Sequence, residues 1–132
     1  MSRKERPSVD AWLKEAKQHP DADKIGMILT HNGIVRATPK AMVRDGIKDG
    51  KTVAGMAFSY DGEKLQAAIH RTLAMPGIYC VRAWLGEGTL RVGDDLMLVL
   101  IGGDIRPHVV DALEYLVGTL KSECVTEEEI YI

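Results

Sequence analysis

Cysteine, long apolar runs and an excess of either charge are all scarce in this chain. Cys80 and Cys124 are the only cysteines among 132 residues, too few and too far apart for a disulfide framework or a Cys-based zinc site. Zinc-ribbon, redox-motif and secreted-scaffold classes drop out with them. No uninterrupted apolar stretch approaches the roughly 18 residues that a membrane span needs. Met1 to Pro7 is polar and charged, with no apolar signal core behind it. The expectation is a cytoplasmic protein with reduced thiols and no membrane partner. Seventeen Lys and Arg against 19 Asp and Glu leave a net charge of −2, so nothing global draws the chain to nucleic acid. Any anion site has to be local. The length and a 45% hydrophobic content fit one domain over 1–132, with 1–7 and 124–132 as candidate flexible arms.

The apolar pattern supplies the elements. Ser8 followed by Val9, Trp12, Leu13 and Ala16 has the spacing of a capped, one-sided helix over about 8–19, ended before Pro20. Ile25 to Leu29 predicts a strand that continues through Ile34-Val35, with a bend at Gly33. Between Arg36 and Lys51 the pattern dissolves into loops or a short helix. Arg36, Lys40, Arg44, Lys48 and Lys51 stand there against Asp45 and Asp49, a local charge of +3. Thr52 to Tyr60 predicts a half-buried strand, and Asp61-Gly62 opens a helix with Leu65, Ala68, Ile69 and Leu73 on one face, stopping before Pro76.

Strands follow over Ile78 to Trp84 and Thr89 to Val92. Leu96 to Ile101 is six consecutive apolar residues, the pattern of a central strand covered on both faces. Asp104 is the expected cap of a last helix with Pro107 in its first turn and a stripe of Val109, Leu113, Leu116, Val117 and Leu120. Gly118 inside that helix suggests close packing or accident. The tail from Glu123 carries four Glu and no base, and reads as an edge strand around 130–132 or a partly ordered arm. Helices and strands do not alternate strictly, so the class is α+β.

The chemistry-bearing residues are few. His19, His31, His70 and His108 are scattered without metal-ligand spacing, so no metal site is expected. Cys124 lacks a nearby base and has Glu123 and Glu127 to oppose a thiolate, which favours an inert thiol. The basic 36–51 stretch suits an anion pocket, although on composition alone a solvated loop is the stronger account. Arg106 lies where a helix N-terminus already favours anions. Lys121, fifteen residues further along the same helix, is roughly 22 Å from it along the axis. One chain cannot bring both to one small ligand, whereas two packed chains can.

Gly33-Ile34-Val35-Arg36 after an apolar strand, Gly88-Thr89-Leu90-Arg91-Val92-Gly93-Asp94 before the central strand, and Leu120-Lys121 closing the last helix resemble the catalytic large subunit of molybdopterin synthase. The resemblance spans about 8–123 and rests on the order and spacing of the set. It implies an α/β hammerhead-type α+β fold, a homodimer, and a small ubiquitin-like sulfur carrier whose C-terminal Gly-Gly thiocarboxylate threads into a pocket. Sulfur then passes to cyclic pyranopterin monophosphate to make the dithiolene of molybdopterin, with no further cofactor. In that family's pattern Lys121 is catalytic, while Arg36 and Arg106 hold the anionic substrate. Three departures accompany it: Ile105 replaces a His, Leu85-Gly86 replaces a His-Arg pair, and Glu128 replaces a second pocket lysine. An anion in place of a cation at a phosphate site reverses roughly 1 to 3 kcal/mol of a charge-assisted contact. The resemblance therefore implies either a working synthase subunit or a family member that keeps carrier or pterin binding without turnover.

Overall fold

The computed structural model describes residues 4–46 and 52–132. Helix α1 (Val9–Lys17) starts where Ser8 Oγ accepts the Ala11 N–H at 3.1 Å, and a 3-10 turn (Ala22–Lys24) leads into β1 (Met27–Ile34). Helix α2 (Lys40–Asp45) interrupts the basic stretch; Lys48, Asp49 and Lys51 lie outside the described residues. Then come β2 (Val53–Tyr60), α3 (Gly62–Leu73), β3 (Ile78–Leu85), β4 (Gly88–Arg91), β5 (Asp95–Gly103) and α4 (Arg106–Thr119). One π turn over Leu120–Cys124 continues α4 and delivers the chain to β6 (Val125–Tyr131).

Two three-stranded antiparallel sheets result, ordered β1-β5-β3 and β4-β2-β6. The six-residue apolar run lies in β5, the central strand of the first sheet, as its unbroken burial requires. Its alternate residues serve two layers. Leu100 packs with Ala16 and Cys80 beneath α1, whereas Met97, Val99 and Ile101 join Val109, Ala112, Leu116 and Leu120 of α4 in the main core. The second sheet adds Phe58 and Leu90 to that same core. The fold is α+β.

Local differences from the sequence pattern have physical causes. The α4 N-cap is Ile105, with no side-chain cap, because Asp104 turns its Oδ1 to the Ile105 N–H (2.7 Å) and the His108 Nδ1 (2.7 Å). The turn into β3 demands glycine at Gly77, where φ is +75° and an added Cβ would lie 2.2 Å from Asp104 Oδ1. Gly118 is exposed, with nothing within 4 Å of an added Cβ, so no close packing explains it. The acidic tail forms strand from Val125 onward, since β2 offers it a full antiparallel ladder from Tyr60 back to Val53. No helix among the described residues is long and apolar enough to cross a membrane.

Candidate active site between the two sheets

The three sequence segments singled out above meet in space through backbone bonds and a shared cavity. Val35, buried just after β1, donates its N–H to the Asp94 carbonyl at 3.0 Å and accepts the Gly93 N–H at 2.8 Å. The G-I-V-R segment is thus pinned to the turn of the second motif, and Arg36 leaves this anchor with its Nε donating to the Thr38 carbonyl at 3.2 Å. Lys121 comes from the end of α4. Its π turn closes through the Val125 N–H to the Leu120 carbonyl, with Leu120 and Cys124 buried and Lys121 exposed. A one-turn widening of this kind is rare and often marks a functional position.

Between them lies a cavity of about 310 Å³. Its apolar walls are Leu96 and Met97 of β5, Met56 and Phe58 of β2, and Val125 of β6. Arg36, Lys40, Arg44 and Lys121 line it as cations, and Glu127 and Glu129 as anions. Alternation along β6 explains the carboxylates. Glu127 and Glu129 share the inner face with Val125, while Glu128 points outward and lines no part of the cavity. The expected pocket position of Glu128 is therefore corrected by one residue in either direction. Lys40 responds to both acids, its Nζ reaching Glu127 Oε1 at 3.1 Å and its backbone N–H donating to Glu129 Oε2 at 2.9 Å.

His31 also lines the cavity, although its sequence context raised only the question of a metal ligand. The legible signal was strand alternation, which puts His31 on the same face as Gly33, two residues along β1. Burial, with a smaller contribution from the Lys121 ammonium, holds its imidazole below the ordinary value. Cys124 sits behind the π turn with its thiol pushed up by burial and then by Glu123. Among the described residues no group of three or more His, Cys, Asp or Glu is placed to hold a metal ion.

Arg36 and Lys121 therefore share one site, and Arg106 does not belong to it within this chain. Arg106 opens α4, at the far end of the helix from Lys121, beside the exposed Ile105. Leu85 is fully buried, and an added Cβ at Gly86 would lie 2.7 Å from the Asp95 carbonyl oxygen, so neither can present a cation in a His-Arg manner without moving backbone.

A family model described as MoaE protein matches residues 3–123. The chain belongs to the MoaE family. Solved structures agree with this MoaE assignment at the level of fold. The molybdopterin synthase of Staphylococcus aureus superposes with a TM-score of 0.74 at 16% identity, covering 97% of this chain and 88% of that one. The MoaE protein of Burkholderia ambifaria MC40-6 gives 0.70 at 18% identity, with 97% and 84% covered. A chain from the protein-protein complex of subunits 1 and 2 of the molybdopterin-converting factor of Helicobacter pylori 26695 gives 0.63 at 18% identity, with 93% and 80% covered. No curated protein sequence matches the chain significantly.

Proposed function

We propose that this MoaE-family chain is the large subunit of a molybdopterin synthase, transferring sulfur from a thiocarboxylated carrier to cyclic pyranopterin monophosphate. Family membership places it in molybdenum cofactor biosynthesis. The observation that carries the reading to the chemistry is the convergence of Arg36 and Lys121, from opposite ends of the sequence, on one cavity between the sheets. Arg36 suits a phosphate, and Lys121 suits a developing oxyanion at the thiocarboxylate carbon or a proton moved as sulfur attacks. The carrier brings the sulfur nucleophile, so the raised thiol of Cys124 has no part in the reaction.

The partners follow from the same reading. The Helicobacter relative was solved as a complex of two subunits. For this chain the second subunit is a small ubiquitin-like carrier ending in Gly-Gly, whose extended tail needs the narrow space between the sheets. Arg106 supports a homodimer, because only a second copy can bring that arginine towards a Lys121 site roughly 22 Å away along α4. One observation favours a second reading. Glu127 and Glu129 occupy cation-facing positions in the cavity and engage Lys40, which weakens the pocket for a polyanion. A member that binds the carrier without turnover fits that arrangement.

Reconstitution separates the two. The chain is incubated with thiocarboxylated carrier and cyclic pyranopterin monophosphate, and dithiolene product is read as a fluorescent derivative. Product formation is the outcome expected of a synthase subunit; carrier binding with no product selects the binding module.

A further inference from the structure

Among the described residues, His31 is the one imidazole lining the cavity between the sheets. Its place follows from strand geometry. Met27 and Leu29 share its face of β1 and pack against the main core, and His31 is the next residue along that face, where the open cavity begins. Gly33 follows it with no side chain, and an added Cβ there would sit 3.9 Å from His31 Nε2. The ring thus borders unfilled space beside the glycine. No hydrogen bond ties it to another described residue, in contrast to His108, which Asp104 holds at 2.7 Å. A half-buried imidazole with neither nitrogen hydrogen-bonded among the described residues, in the same cavity as Lys121, is placed to handle a proton.

We propose that His31 is the general base that releases the carrier after sulfur has been transferred. The proposal rests on the sulfur-transfer reading. Attack of the thiocarboxylate sulfur on an oxygen-bearing substrate carbon forms a new C–S bond as a C–O bonding pair of that carbon withdraws onto its oxygen, which takes up a proton, and leaves the sulfur joined also to the carrier's terminal acyl carbon, as a thioester. Completing the transfer requires the acyl C–S bond to break. Water adds to the acyl carbon while one of its protons passes to the His31 imidazole, giving a tetrahedral oxyanion. Collapse sends the C–S bonding pair out with sulfur as a thiolate and leaves a carboxylic acid on the carrier, which then loses its proton to solvent. No oxidant or reductant takes part. Lys121, in the same cavity, supplies the positive charge that the oxyanion and departing thiolate need.

The electrostatic setting is consistent with that role. Burial and then Lys121 keep the ring below its ordinary value of about 6.5, so it is mainly the neutral, proton-accepting form at pH 7. The other charged groups facing the cavity are Arg36, Lys40 and Arg44 from the loop and α2, and Glu127 and Glu129 from β6. The base form is lost as pH falls through the lowered value, which gives carrier release an acid limb below about pH 6.5.

The test is a single-turnover reaction of the full chain with thiocarboxylated carrier and cyclic pyranopterin monophosphate, quenched over time and across pH, with the carrier–substrate adduct followed by intact mass. With His31→Gln and His31→Asn the adduct accumulates, its release slows by about 10²-fold or more, and the acid limb disappears. Added imidazole restores part of the rate to His31→Ala, while carrier binding stays at the wild-type level in all three. Release at the wild-type rate with the wild-type acid limb in both Gln and Asn variants overturns the assignment to His31 while leaving the sulfur-transfer reading intact. A wild-type chain that binds carrier but forms neither adduct nor product overturns that reading, and the role of His31 falls with it.

Discussion

Lys40 of α2 and Glu127 of β6 meet at 3.1 Å within the cavity that also holds Arg36 and Lys121. The pair joins the acidic tail to the basic loop, two segments whose charges looked unrelated in the sequence. With Lys40 44% and Glu127 24% exposed, it adds at most about 1 kcal/mol to stability. Its larger consequence is competition, because an incoming phosphate must displace Glu127 to use Lys40.

Glu127→Gln should therefore tighten anion binding about two- to fivefold, the equivalent of up to about 1 kcal/mol, with little change in melting temperature. Titration with inorganic phosphate and with cyclic pyranopterin monophosphate at low salt measures it. Weaker binding in the variant would show instead that Glu127 positions Lys40 for the ligand.

Gly33 offers a way to fill the cavity without disturbing the fold. An added Cβ meets Met97 Cβ at 3.5 Å and His31 Nε2 at 3.9 Å, both ordinary contacts. Gly33→Ala is expected to leave stability unchanged or raise it by up to about 1 kcal/mol, since alanine restricts the unfolded chain more than glycine. Ligand affinity should fall severalfold. Thermal melts and substrate titration on the same preparation separate the two effects.

Much of this architecture was legible in the sequence, and the reasons differ by element. The unbroken apolar run of β5 and the one-sided patterns of α1 and of α3 through Ile69 state their burial directly, because periodicity records which face meets the core; Leu73, expected on the same face of α3, is exposed at the helix end. Arg36 was legible as a candidate anion contact from the basic stretch, and Lys121 as a candidate site residue through the resemblance. Nothing local says that Val35 bonds to Gly93 and Asp94, or that a π turn places Lys121. His31, Glu127 and Glu129 escaped for a different reason. Their role depends on which face of an edge strand points inward, and register fixes that only once β1 and β6 have found their partners. The tail reads as an edge strand around 130–132 or a partly ordered arm, and the ladder with β2, which starts already at Val125, turns every second glutamate into the cavity.

Two glycines should respond oppositely to alanine. Gly118 sits exposed in α4 with open space around it, so Gly118→Ala is expected to stabilise by about 0.5–1 kcal/mol and raise the melting temperature by about 2–5 °C. Gly77→Ala forces a Cβ onto Asp104 Oδ1 in a left-handed backbone and should lower it markedly. Equal effects at the two positions would contradict the packing described here.

Cys124 should behave as an inert thiol. Burial, and then Glu123, raise its titration, so the thiolate fraction at pH 7 is below that of a free cysteine and grows only at more alkaline pH. Iodoacetamide should label it slowly in the folded chain at pH 7 and faster as pH rises, and Cys124→Ala should retain sulfur transfer. Loss of transfer in that variant, with the fold intact, would make Cys124 part of the chemistry.

The most direct test of the central claim is the rate of dithiolene formation by Lys121→Ala beside the wild type, with thiocarboxylated carrier and cyclic pyranopterin monophosphate supplied and carrier binding measured in parallel. Removing a single electrostatic or proton-transfer group of this kind should cost about 10²-fold or more in rate, with carrier binding retained. Product formed by Lys121→Ala at the wild-type rate would contradict the account, because Lys121 would then line the cavity without acting in it.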